Sequence, residues 1–216
     1  MNIRTLLISG LMALVPAAAF AGDPVRNLSE KVRNNKVSFD YSFSISNSSV
    51  EGNGSVTAED KAYKIESKGM DVYCDGTAKW TVDESAKEVI VEPLDQNASN
   101  YMTDPASLIT SFDEYFSQVS TAQGKFDGKN VKICTLTPKA HLVAPISMIG
   151  KSLVIMNAQL YFTSKGNLVG MMIKAEDGSS MTFKVSNLVF SKKTGLDPFR
   201  FDTEGLSDDW VVTDLR

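Results

Sequence analysis

The residues that most often carry chemistry are few in this chain: Cys74 and Cys134 are the only cysteines and His141 the only histidine among 216 residues. A structural zinc needs three or four ligands, and one histidine with two distant cysteines makes no such set. No G-x-S-x-G is present, and Gly150-Lys151-Ser152 lacks the Gly-rich half of a phosphate loop. His141 has Lys139 and Leu142 beside it, neither an acid nor a nucleophile. Aspartates 75, 83, 127 and 177 occupy positions typical of turns, where the carboxylate bonds its own backbone. An enzyme is therefore not expected, and neither a metal nor a cofactor. Cys74 and Cys134 are a disulfide candidate, since a bridge closing about 60 residues contributes roughly 4 kcal/mol if unstrained; two buried thiols are the alternative.

The compartment follows from the first residues. Arg4, an apolar run from Leu6 to Val15 and Ala19-Phe20-Ala21 form an export signal cut after Ala21. Residues 1–21 are read as this signal and 22–216 as a single exported domain, expected to be a monomer. No Cys follows Ala21, so N-terminal lipid attachment is not expected. The formal charge is -4 and the charges are dispersed, which predicts no footprint for nucleic acid or anionic lipid.

The elements that would position any site are mostly strands. Asp23-Pro24 opens a short amphipathic helix through Val25, Leu28 and Val32. Val37, Phe39, Tyr41, Phe43 and Ile45 then alternate with polar residues, the period of a strand with one buried face. Strands over 52–57 and 61–67 flank a Glu59-Asp60 turn. Three more fill residues 70–93, pivoting on Asp75-Gly76 and on residues 83–86, with Met70, Val72, Trp80, Val82, Val89 and Val91 on one apolar face. Asp104-Pro105 opens a central helix carrying Leu108, Phe112, Tyr115, Phe116 and Val119. Strands return over 123–126, 131–136, 153–163, 168–174, 179–190 and 199–202. Residues 142–149 are apolar but interrupted by Pro145, too irregular for a good strand; they suit a flap, a contact surface or a buried loop. The sum is a mainly β protein with helices, about ten or eleven antiparallel strands in a strongly curved sheet.

The order of these parts resembles the LolA family of periplasmic outer-membrane lipoprotein carriers. The Asp75-Gly76 turn, the strand centred on Trp80, an acidic turn and the Val89-Val91 strand match the family's "SDG...LW.Y....QV.V" run. Leu160-Tyr161-Phe162 through the Gly166 turn to Leu168-Val169, then Asp177-Gly178 through Phe183, and Asp197-Pro198-Phe199-Arg200-Phe201 resemble its later strands and its closing "F.F". The resemblance covers most of residues 22–216 and implies an incomplete antiparallel barrel with a helical lid over an apolar cavity. One departure is plain: the stretch 56–61, Val-Thr-Ala-Glu-Asp-Lys, has no counterpart of the family's basic residue followed by Pro, whose Arg is associated with holding the lid closed.

On this resemblance, the cavity wall is expected from Val72, Trp80, Val82, Val89, Val91, Met156, Leu160, Phe162, Met171, Met181 and Phe183, and the lid from Leu108, Phe112, Phe116, Leu142 and Ile146. The same residues suit an ordinary core, but flexible Met also suits variable apolar ligands. The implied partners are acylated lipoproteins or lipids, an inner-membrane lipoprotein-releasing transporter and an outer-membrane acceptor, with no nucleic acid. A lipid- or amphiphile-binding or envelope-stress-sensing module on the same fold is the alternative.

Overall fold

A computed structural model describes residues 23–94, 105–110, 112–140, 143–146 and 151–216. The expected export signal at 1–21, His141 and Leu142 lie outside the described residues.

Helix α1 (Pro24–Asn34) forms as expected, with Asp23 Oδ1 accepting from Val25 N at 2.9 Å and Val25, Leu28 and Val32 buried. There follow β1 (Lys36–Ile45), β2 (Glu51–Glu59), β3 (Ala62–Ser67), β4 (Met70–Cys74), β5 (Ala78–Asp83) and β6 (Glu88–Pro93), an antiparallel meander. Two short helices, α2 (Pro105–Thr110) and α3 (Phe112–Tyr115), lead into β7 (Phe116–Phe126), β8 (Lys129–Pro138), β9 (Val143–Ile146), β10 (Lys151–Phe162), β11 (Leu168–Ala175) and β12 (Ser180–Ser191). A 3-10 turn (Asp197–Phe199) and β13 (Val211–Asp214) come last.

The 13 described strands join one sheet, in the order β13-β6-β5-β4-β3-β2-β1-β12-β11-β10-β8-β7, with β9 on β10 off this path. The sheet is strongly curved and unclosed. Its two halves meet where β1 pairs β12, with Phe43 opposite Phe183 and Ile45 opposite Met181. The crossing is packed by aromatics: the Phe43 and Phe183 ring centroids are 5.7 Å apart, and the Phe43 ring covers Gly52, where a Cβ would lie 2.5 Å from Phe43 Cε1. Gly52 is thus the floor on which a ring rests, and any side chain there would expel it.

Four expectations change. The central helix stops at Tyr115; Phe116 already begins β7, and Val119, expected on the helix, is the bulged residue between Gln118 and Ser120 and is exposed. Pairing with β8 runs from Phe116 to Phe126 and outcompetes one more helical turn. Residues 143–146 do form a strand, because Pro145 sits on β9, which pairs with nothing but β10 among the described residues and so needs no donor on its outer side. The closing strand expected over 199–202 is instead the 3-10 turn and an extended segment, and the last strand is β13, parallel to β6.

The fourth change concerns the cysteines. Cys74 on β4 and Cys134 on β8 are both fully buried and no disulfide joins them. Six strands separate β4 from β8 in the sheet order, so neighbouring register cannot bring their Cβ atoms together. Burial pushes the Cys134 thiol up to about 11, which keeps it protonated and unreactive.

The stretch that departs from the family pattern has its own fastening. Glu59 at the end of β2 is buried and accepts from Thr194 N at 2.8 Å and Gly195 N at 3.0 Å, while Lys193 reaches Asp60 at 2.5 Å. The carboxylate thereby pins the segment after β12 against β2. Glu59→Ala removes two charge-assisted bonds from backbone donors and is expected to cost about 1–3 kcal/mol in denaturant unfolding.

Candidate functional site

The face of the sheet that carries the helices is a continuous apolar lining. Phe39, Tyr41 and Ile45 of β1 and Met181, Phe183 and Val185 of β12 line its centre; Leu160, Phe162, Met171 and Ile173 extend it across β10 and β11. Val25, Leu28 and Val32 of α1, with Ala106 and Ile109 of α2 and Phe112 of α3, close it from above. Helix α2 packs on β2, β3 and α1. Of the expected wall residues, Leu160, Phe162, Met171, Met181 and Phe183 are buried here, and Val72 packs half-buried against them. Of the expected lid residues, Phe112 and Phe116 are brought to the same core; Leu108 and Ile146 lie on α2 and β9, with their side chains outside the described part.

The structure does not bring Trp80, Val82, Val89 and Val91 to that lining. Register places Tyr73 opposite Trp80, Trp80 opposite Val91 and Val82 opposite Val89, so these share one face, while Cys74, next along β4 from Tyr73, belongs to the helix side. Strand alternation then puts Met70 and Val72 on the helix side and the Trp80 set on the opposite one. There Ala78, Trp80, Val82, Val89 and Val91 form a second core, covered by Phe201, Leu206 and Trp210 of the C-terminal segment. The expectation of one apolar face across β4 to β6 is thus corrected: each strand alternates as read, but the turn at Asp75-Gly76 sets their relative phase. Met156 is also elsewhere, 52% exposed at a bulge between Ile155 and Asn157.

The C-terminal cover is fastened at its start by Arg200, whose Nε lies 2.9 Å from Asp75 Oδ2. Burial alone would raise the Asp75 carboxyl, but bonds from Thr77 Oγ1 (2.7 Å), Ala78 N (3.0 Å), Thr77 N (2.9 Å) and Arg200 hold it down to about 2. Since the folded value lies below the ordinary 3.8, this stabilisation is complete above about pH 4 and is lost as pH falls through about 2. Melting curves between pH 5 and 2 are expected to show a loss on the order of 2 kcal/mol that Asp75→Asn flattens.

The cover over the helix-side lining is held differently. Arg33 of α1 pairs with Asp113 of α3, and Lys139 Nζ donates to Asp113 O at 2.7 Å while Lys139 N donates to Tyr115 O at 2.8 Å. These contacts tie α1, α3 and the end of β8, and none involves the stretch 56–61. An open depression of about 510 Å3 lies over β1 to β3, among Asp40, Tyr41, Asn53, Gly54, Ser55, Glu66, Ser67 and Lys68. No group of three or more potential metal ligands occurs among the described residues.

The sequence pattern did not single out α1 or the β1 aromatics as site residues, although both carried a signal: the i, i+3, i+7 stripe of α1 and the alternation of β1 mark their buried faces. What they face is settled only by the β1–β12 pairing.

A strongly curved, unclosed sheet, antiparallel but for β13, with an apolar side under short helices is an open-barrel architecture. Neither a scan of known family models nor a comparison with curated proteins gives a match. Solved structures do: an uncharacterized conserved protein from Thermus thermophilus is similar over 88% of this chain and 96% of its own, at 10% identity and a TM-score of 0.52. A LolA superfamily protein from Nitrosomonas europaea matches over 84% of this chain and 99% of its own, at 10% identity and a TM-score of 0.42. The Mycobacterium tuberculosis lipoprotein LppX matches over 82% of this chain and 100% of its own, at 11% identity and a TM-score of 0.40. At 10% identity the first of these defines a shared fold, the open barrel described above.

Proposed function

We propose that this chain is a periplasmic carrier that binds acyl chains of lipoproteins beneath α1, α2 and α3 and carries them from an inner-membrane transporter to an outer-membrane acceptor, with no catalytic step. The observation that supports this is the apolar lining of an unclosed sheet whose cover is three short helices of 11, 6 and 4 residues rather than a second sheet. The sequence resemblance to the LolA family and the export signal agree with it.

Magnitudes favour exchange between cover and cargo. A 16-carbon chain leaving a membrane exposes apolar surface worth about 0.8 kcal/mol per CH2, on the order of 12 kcal/mol in all. Ile109 and Phe112, the largest buried side chains of α2 and α3 among those described, are worth roughly 3–6 kcal/mol together. The Arg33–Asp113 pair has Arg33 64% exposed and adds about 0–1 kcal/mol. An entering chain therefore outweighs the contacts of Ile109 and Phe112 together with that ion pair, and their return assists release.

The test adds the mature protein to spheroplasts of its source cells and follows newly made lipoproteins, with a heat-inactivated sample as control. Stoichiometric appearance of acylated protein in the soluble fraction is expected. Retention on the membrane while the releasing machinery is active overturns lipoprotein carriage, and binding of free lipids under those conditions points to the sensing or lipid-binding alternative.

A further inference from the structure

The two edges of the open sheet are built differently. At one, β7 is 11 residues long but polar, with Ser117, Gln118, Ser120 and Thr121 in its first half and a bulge between Gln118 and Ser120. Bulges and polar edges discourage strand addition. At the other, β13 has an unbroken register with β6 and carries exposed apolar residues: Val211 is 60% exposed, Val212 41% and, just past the strand, Leu215 58%. Val211 N donates to Lys87 O and Leu215 N to Val91 O, so alternate residues face β6 and the N–H and C=O of Val212 and Asp214 point outward.

Register shows what a strand added beside β13 would meet. Val82, Val89 and Val212 stand in one row across β5, β6 and β13, an apolar row that runs off the edge of the sheet. Around it the charge is one-sided. Residues 197–216 hold Asp197, Asp202, Glu204, Asp208, Asp209 and Asp214 against Arg200 and Arg216. Arg216 engages Asp214 and Lys87 engages Asp209, while the exposed Glu84, Glu88, Glu204 and Asp208 are in no ion pair among the described residues. Glu88 stands directly opposite Val211.

We propose that the edge of β13, which pairs with β6 alone among the described residues, docks an extended segment of a partner protein in which aliphatic residues alternate with lysine or arginine, by strand addition beside Val212. Aliphatic side chains continue the Val82–Val89–Val212 row, and basic ones answer the surplus of acids. A second copy of this chain fits less well, because β13 against β13 sets the same acids against each other. The surface is separate from the acyl-chain site, since β13 lies beyond the Trp80 core and not under the helices.

The test uses the 22–216 protein and two octapeptides, one alternating Lys and Val and one alternating Glu and Val, with backbone amides followed by NMR hydrogen exchange. The Lys-Val peptide is expected to slow exchange at Val212 and Asp214 about tenfold at low salt, with the protection falling as salt is raised. Val212→Pro removes an outward N–H without touching the β6 ladder, and is expected to abolish binding while leaving the melting curve nearly unchanged. Unchanged exchange at Val212 and Asp214 overturns the proposal, as does equal protection by the Glu-Val peptide. Protection of the same amides in concentrated protein alone also overturns it, by making the occupant a second copy.

Discussion

Phe162→Ala is expected to destabilise the protein by about 3–5 kcal/mol, the cost of removing a large fully buried aromatic from a packed interior. Phe162 has no exposed surface and ends β10, paired with Leu168 of β11 and Lys132 of β8, so three strands would have to shift to fill the space. In a chain of this size the loss lowers the melting temperature by roughly 2–4 °C per kcal/mol. Phe162 belongs to the helix-side lining, and a hole beside Leu160 and Met171 changes the shape offered to an acyl chain. Acyl-chain affinity and stability are thus expected to change together, read by displacement of a fluorescent fatty acid and by thermal melting.

Trp80→Ala is expected to cost about as much, up to 3–5 kcal/mol, with a different signature. Trp80 is buried in the small core that the C-terminal segment covers, with Val82, Val89 and Val91. Losing its ring takes away the surface on which Phe201, Leu206 and Trp210 rest, so the segment from Arg200 onward should loosen and the β13 amides exchange faster. Fatty-acid displacement should stay as in the unmodified protein, because Trp80 faces away from the helices. A fall in fatty-acid affinity for Trp80→Ala as large as for Phe162→Ala would refute the assignment of the two faces.

Much of the fold was legible in the residues. Asp23-Pro24 and the spacing of Val25, Leu28 and Val32 specify α1, because capping and an amphipathic stripe are local properties. The alternation from Val37 to Ile45 specifies β1, and Asp75 and Asp83 mark turns where each carboxylate bonds the backbone two and three residues on. The resemblance to the LolA family anticipated an incomplete barrel, and the sheet is one. Where local signals were weak or competed, the reading slipped: Phe116 and Val119 fit a helical stripe as well as a strand, and β13 has only four exposed residues with no buried face to announce it.

The site was legible only in part, for a geometric reason. A period of two states that a strand has two faces and says nothing about which face of the next strand joins which; that depends on the turn between them and on the register it imposes. Val72 and Trp80 were therefore equally good candidates for one wall, and the four-residue step from Cys74 to Lys79 separated them. The two cysteines, each on a buried strand position, could not be placed without the sheet order that sets six strands between β4 and β8.

By itself, the sequence determined the composition of each element: which positions are apolar, where helices start and where turns must bend. Only the tertiary structure decided how those faces combine, placing the β1 and β12 aromatics with Phe162 under the helices and the Trp80 face under the C-terminal segment, and leaving an apolar edge at β13. Local chemistry acts over a few residues and is written in order along the chain; pairing between β1 and β12, or β6 and β13, joins residues more than 100 apart, and no short pattern encodes it.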